Sequence, residues 1–246
     1  MNPCKFPLVL LTFCASFSLS ARSNPFLYPM RTVFVDAGHG GRDSGAARSY
    51  GWGDVTEKEI VLDVAGRVAT KLQARHSDWN IVMTRNDDTF VSLSERCQIA
   101  YTTPLSPKSS ALFLSIHVNS APSPSASGYE VLVRDSTRET VMLSSQTPKQ
   151  NIPLFAAYTD GELNQLLDQR SHQIAETVDQ VLSTGFVSRG VKVQDVQVLR
   201  ESRTPSILVE LGFLTNEDEA RNLMDDAWRE RMASSIVLAI EQVARQ

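Results

Sequence analysis

Two of the four histidines in this 246-residue chain stand at the same kind of place. His39 follows the run Thr32 to Asp36, inside Asp36-Ala37-Gly38-His39-Gly40-Gly41, while His117 ends the run Ala111 to Ile116 and has Asn119 two residues on. Flanking glycines leave open backbone space around His39, as a ligand beside a substrate needs. Two neutral imidazoles plus one carboxylate form an open zinc set that keeps a position for water. Glu57 is the candidate third ligand: Thr56 reads as a helix cap, so the Glu57 carboxylate sits at a helix N-terminus, where the dipole favours its charged form. On spacing alone, an ordinary first-turn acid is the simpler reading of Glu57. Glu210 is the other unusual acid, because it interrupts the apolar run Ile207 to Phe213, and a buried carboxylate must be paired, metal-bound or protonated. Its plain alternative is an internal salt bridge to Arg96 or Arg203. His76 and His172 read as surface residues on helices.

The elements that must position these groups follow from periodicity. Thr32 to Asp36 reads as a buried strand feeding the glycine-rich loop Gly38 to Gly45. Thr56 and Glu59 form a capping box, and Ile60, Val61, Val64, Val68 and Leu72 recur at helical spacing behind it. Ile81 to Thr84, Ala111 to Ile116, Tyr129 to Val133, Gln197 to Leu199 and Ser206 to Leu211 read as strands. Ser92 to Tyr101, Leu163 to Leu182 and Ala227 to Ala244 read as helices. Alternation of this kind predicts a single α/β domain with a mixed, mostly parallel sheet and helices on both faces, its active groups gathered at strand ends.

Lys5 is the only charge before an apolar run, Phe6 to Phe17, that is too short to span a bilayer. With small residues at Ser18 and Ser20, residues 1–20 read as a signal peptide and 21–30 as a tether. The catalytic domain would then span 31–246, periplasmic or secreted, with Cys97 as its single cysteine and most simply a buried small hydrophobe. No later run approaches membrane-spanning length. With 24 Lys plus Arg against 28 Asp plus Glu, the chain has no basic field for nucleic acid.

Seven segments, in order, carry a resemblance: DAGHGG at Asp36 to Gly41, TEK at Thr56 to Lys58, TRNDDTFVSLSER at Thr84 to Arg96, SIHVN at Ser115 to Asn119, GYEV at Gly128 to Val131, RGVK at Arg189 to Lys192 and VELGFLTN at Val209 to Asn216. Together they resemble the zinc-dependent N-acetylmuramoyl-L-alanine amidases of the Amidase_3 type. The resemblance implies a peptidoglycan hydrolase with one catalytic Zn²⁺ held by His39, Glu57 and His117, and Glu210 as the catalytic carboxylate. Asn119 is an expected hydrogen-bond donor near the metal. Lys58, Arg85 and Arg189 are candidate contacts for acidic stem peptides, with solvated surface charge as the plain alternative.

Other chemistries fit less well. Asp43-Ser44-Gly45 is similar to the nucleophile segment of trypsin-like proteases, but the flanking residues and the α/β pattern differ. The glycine loop lacks the Gly-Lys-Ser/Thr of a phosphate loop, and no His-Glu-x-x-His helix is present. A non-catalytic cell-wall-binding domain of the same fold is the alternative from another class, and it gives no reason for Glu210. Roughly thirty residues near 134–170 read as an insertion. Because some relatives are held inactive by a segment here until a partner displaces it, the resemblance implies a regulatory lid, with Asp160 or Glu162 offering a carboxylate to zinc and an activator protein as partner. The alternative is a surface loop packing its own apolar residues.

Overall fold

The computed structural model describes residues 24–246, so the signal-peptide reading of 1–20 and the first residues of the tether lie outside the described residues. Chain order runs β1 (Met30–Ala37), β2 (Ala47–Tyr50), β3 (Gly53–Thr56), α1 (Glu57–Arg75), β4 (Asn80–Met83), α2 (Leu93–Thr102), β5 (Ser110–Asn119) and β6 (Tyr129–Arg134). It continues with α3 (Ile152–Phe155), α4 (Asp160–Leu182), β7 (Ser188–Gln194), α5 (Gln197–Glu201), β8 (Ser206–Phe213), α6 (Glu217–Met224) and α7 (Asp226–Ala244). Six strands form one sheet in the order β4-β1-β5-β8-β6-β7, and β2 and β3 form a separate hairpin. Every pairing in the large sheet is parallel except β6 with β8, which is the mixed, mostly parallel sheet that the sequence predicts.

Strands β1, β5 and β8 read as nearly unbroken apolar runs because helices cover both faces. On one face α1, α4 and α7 bury Val33, Val35, Leu112, Leu114, Ile207 and Val209. On the other, the shorter α2 and α5 cover Phe34, Phe113, Leu132 and Leu208. The short cover stops below the C-terminal ends of β5 and β8, and leaves those ends open on that face. Cys97 lies under this cover, buried as expected, its Sγ 4.0 Å from the carbonyl oxygens of Gln197 and Val198.

Two local readings are corrected and one strand is added. Gln197 to Leu199 is helical rather than extended: Val198 and Leu199 are buried by a single helical turn, and a three-residue apolar run has no period that could tell the two apart. The strand at this point of the chain is β7, a polar edge strand whose Gly190 adopts φ +80°. Thr56 caps α1 in position only. Its Oγ1 is buried without a partner, because the first helical N–H groups are taken by loop carbonyls, Glu57 N by Ala46 O at 2.8 Å and Lys58 N by Ser44 O at 3.2 Å.

The inserted segment packs at the far end of the sheet. Asn151 donates to Thr103 O and accepts from Leu105 N, just before β5 begins. Phe155 meets Phe26, whose neighbouring Tyr28 and Pro29 carbonyls bind Ser110, the first residue of β5. His117 lies seven residues along that strand, roughly 23 Å away. Helix α4 begins farther off still, since Ser171, eleven residues after Asp160, is level with Ser206 at the start of β8.

Candidate metal centre

His117 and Glu210 are register partners across β5 and β8, and Glu210 and Glu130 are partners across β8 and β6. Partnered residues project to one side of a sheet, so the three side chains form a row on the face that α2 and α5 leave open. His39 joins the row from the loop after β1, and Glu57 from the start of α1. The β2–β3 hairpin connects that loop to that helix.

Nitrogen and oxygen atoms of His39, Glu57 and His117 lie within 4.8 Å of one another. Glu57 Oε1 is 3.0 Å from His39 Nε2 and 2.9 Å from His117 Nδ1. The Glu57 carboxylate also accepts from Ala46 N at 2.8 Å and Val118 N at 2.9 Å, which fixes it between loop and strand. Burial would raise its pKa, yet the hydrogen bonds from His117 and His39 hold it well below the ordinary carboxylate range. Asp43 Oδ2 faces His39 Nδ1 at 2.9 Å, and a proton on Nδ1 would free the Nε2 lone pair for an ion in place of its contact with Glu57. Burial alone would lower the His39 pKa; Glu57 and Asp43 raise it above the ordinary value.

Small residues make room for this group. A Cβ on Gly45 would lie 2.5 Å from Glu57 Oε2, and one on Gly38 would lie 2.4 Å from His117 Cε1. His39 itself holds φ +58°, a conformation that disfavours side chains with a Cβ. Two buried arginines keep it there. Arg96 donates to the carbonyls of Ala37 and His39 and to Asp36 Oδ1, while Arg85 donates to the carbonyls of Ala37, Gly38, Asp87 and Lys58. Asp36 is fully buried and also accepts from Thr84 and Ser115. Burial would raise its pKa, but the Arg96 charge and these hydroxyls hold it below the ordinary value.

Glu210 has neither of the salt-bridge partners that the sequence offers. Arg96 serves Asp36, and Arg203 lies over the Tyr101 ring and donates to Ser144. Glu210 Oε2 is buried without a hydrogen-bond partner, and burial pushes its carboxyl up to about 7. A proton-accepting group at that value, beside a candidate metal set, can exchange protons at neutral pH.

The remaining expected contacts divide. Asn119 Nδ2 donates to Glu130 Oε2 at 3.2 Å, and Arg189 Nε donates to Glu130 Oε1 at 2.5 Å, so both stand at the end of the row. Arg85 is corrected: its guanidinium is buried against backbone carbonyls and braces the loop rather than facing the cleft. Lys58 binds Gly41 O and Asp88, again as a loop tie. Asp160 and Glu162 are corrected as well, for they lie in the first turn of α4, where Asp160 accepts from Met142 N and Glu162 from the cap residue Thr159, at the end of the sheet opposite His117. Ser44 Oγ donates to Gly45 O and faces no histidine, which leaves the serine-hydrolase reading without a base. His76 lies just past α1, half-buried, stacked on Trp79 and bonded to Glu241.

Three residues have a place in the site that the sequence did not assign to them. Asp43 carried a signal, being four residues from His39 in a loop. Glu130 carried one as the acid in an otherwise apolar strand. Arg96 could not be recognised, since its partners are mostly carbonyls.

Residues 33–242 match the family model Amidase_3, N-acetylmuramoyl-L-alanine amidase. The chain is 34% identical over 213 residues to the uncharacterized protein YqiI of Bacillus subtilis, covering 86% of this chain and 84% of that one. It is 34% identical over 205 residues to the N-acetylmuramoyl-L-alanine amidase LytC of the same organism, covering 83% of this chain but only 34% of LytC. The crystal structure of an N-acetylmuramoyl-L-alanine amidase from Clostridium difficile 630 superposes with a TM-score of 0.66 at 28% identity, covering 87% of this chain and 96% of that one.

Proposed function

This chain belongs to the Amidase_3 family, the N-acetylmuramoyl-L-alanine amidases, and we propose that it hydrolyses peptidoglycan at the amide between N-acetylmuramic acid and L-alanine, with one Zn²⁺ held by His39, Glu57 and His117. The donor set fits that ion. Two imidazole nitrogens and a carboxylate oxygen are a catalytic zinc set, and bonds of about 2.0–2.1 Å to a tetrahedral ion separate its ligands by about 3.4 Å, within the spread of the cluster. When bound, zinc lowers the pKa of water to about 7 and polarises the scissile carbonyl.

The protein's own groups do the rest. Asp43 keeps His39 in the tautomer that presents Nε2. Glu210 takes the proton of the attacking water and returns it to the L-alanine nitrogen as the carbon–nitrogen bond breaks. The observation that carries this reading is Glu210, part-buried, in register with His117 and with its Oε2 buried without a partner. A wall-binding domain would have no use for it. Residues 1–20 act as an export signal in this reading, and the site of action is the cell wall, secreted or periplasmic. With Asp160 and Glu162 at the opposite end of the sheet, neither carboxylate covers the metal set.

Purified protein should release peptides from sacculi, lose that activity to a chelator and regain it with zinc. Metal analysis should find one zinc in the wild type and none in His39→Ala or His117→Ala. Full zinc occupancy in both variants would overturn the ligand set.

A further inference from the structure

Beyond Glu210 the row ends in a cluster that the hydrolysis step leaves unused. Glu130 is buried, and its Oε1 receives both Arg189 Nε and Lys192 Nζ at 2.5 Å, while Asn119 holds Oε2. One carboxylate thus faces two cations, and the cluster keeps a net positive charge. The Arg189 and Lys192 side chains remain 38% and 41% exposed. The Arg189 guanidinium lies over the Phe213 ring with its centre 5.0 Å from the centroid, which orients the planar fork without consuming its donors. Among the described residues its NH2 makes no hydrogen bond, so a second carboxylate can bind there.

The position of this charge along the row gives it a meaning. Neighbouring strands are about 4.8 Å apart, which puts the Glu130 backbone roughly 10 Å from that of His117, and the cations lie beyond it on the edge strand. An extended peptide advances about 3.3–3.6 Å per residue, so that span is about three residues measured from the scissile amide. The glycan side of that amide carries no free carboxylate, since the lactyl carboxyl is itself the acyl group. Acidic groups of the substrate belong to the peptide.

We propose that Arg189 and Lys192 bind a free carboxylate two or three residues along the stem peptide, so that the peptide runs from the metal across β8 and β6 toward β7 and the glycan leaves on the His39 side. Glu130 is a positioning residue in this arrangement: it holds the two cations in place in the free enzyme and competes with the substrate carboxylate for them. The inference rests on the amidase reading and adds to it a direction and a preferred substrate class, peptides with unamidated acids.

The test compares two synthetic muramoyl pentapeptides, one with free carboxyls at the second and third peptide residues and one with both amidated. Wild-type enzyme should show a higher kcat/KM on the acid. Arg189→Ala and Lys192→Ala should each lower kcat/KM on the acid about tenfold more than on the amide, while Arg189→Lys, which keeps the charge, should recover part of the preference. Glu130→Gln should move the ratio the other way and increase the preference for the acid, an outcome that lost folding cannot imitate. Equal cleavage of both substrates by the wild type, or equal losses on both in the variants, overturns the proposal alone. An enzyme that cleaves neither overturns the amidase reading and this proposal with it.

Discussion

The two faces of the central sheet are built from the same strands by different rules. Toward α1, α4 and α7 the strands present Val33, Leu112, Leu114, Val209 and their neighbours, all apolar and fully buried. Toward α2 and α5 the alternate residues include Asp36, Ser115, His117, Glu130 and Glu210. The first face buries hydrocarbon, worth about 25 cal/mol per Å² removed from water. The second places charge in a dry environment, where each group must find a partner or remain costly. Asp36 finds Arg96, Ser115 and Thr84, whereas Glu210 finds none. The difference separates a face that holds the fold from a face where stability is given up to leave one carboxylate unpaired.

The largest test of that division is Glu210 itself. Glu210→Ala and Glu210→Gln should lower sacculus hydrolysis by about 10²–10⁴-fold while zinc content stays at one per chain and Tm holds or rises. A fall in Tm with only a proportionate loss of rate would move Glu210 into the scaffold and break the comparison.

A pair of substitutions sharpens it. Leu114→Ala on the apolar face should cost about 2–5 kcal/mol in urea unfolding and leave zinc affinity where it was. Arg96→Met on the polar face should cost a similar amount, about 3–5 kcal/mol, because it leaves Asp36 buried and unpaired, and should also weaken zinc binding about 10–100-fold through the His39 loop. The folded pKa of Asp36 is depressed, so its stabilising contribution is complete above the ordinary value of 3.8 and disappears as pH falls below that toward the folded value. Urea midpoints measured from pH 5 down to pH 2.5 should show this loss, and Asp36→Asn should flatten it. An unchanged acid slope in Asp36→Asn would show that other carboxylates carry the acid sensitivity.

The smallest effect belongs to neither face. Glu162→Ala removes a capping-box acceptor and should cost about 1 kcal/mol, and Asp160→Asn less, with hydrolysis of sacculi unaltered in both. A rise in rate would restore the lid that the packing at the far end of the sheet rules against.

Much of this was legible in the amino-acid sequence, for a physical reason. His117 and Glu210 interrupt apolar strands, His39 sits among glycines and Glu57 follows a cap position, so each contradicts its surroundings. The α/β order was legible because the helices carry long apolar stripes. What escaped depends on distance through space. Arg85 and Arg96 act on carbonyls, which every residue possesses, so nothing in their neighbourhood distinguishes a loop brace from a surface charge. Strand β7 is half-exposed and mostly polar, and its alternation is limited to Val191-Lys192-Val193 after a glycine. The destination of residues 134–170 depends on Phe26 and Leu105, remote in sequence, and no local pattern says which end of a sheet an insertion will reach.

Cys97 leaves one more consequence. Burial pushes its thiol up to about 12, so at neutral pH the folded protein withholds the thiolate that alkylating agents and disulfides require. Folding is therefore the antioxidant. Each transient opening would expose this sulfur, and the rate at which Cys97 takes up a thiol reagent counts those openings.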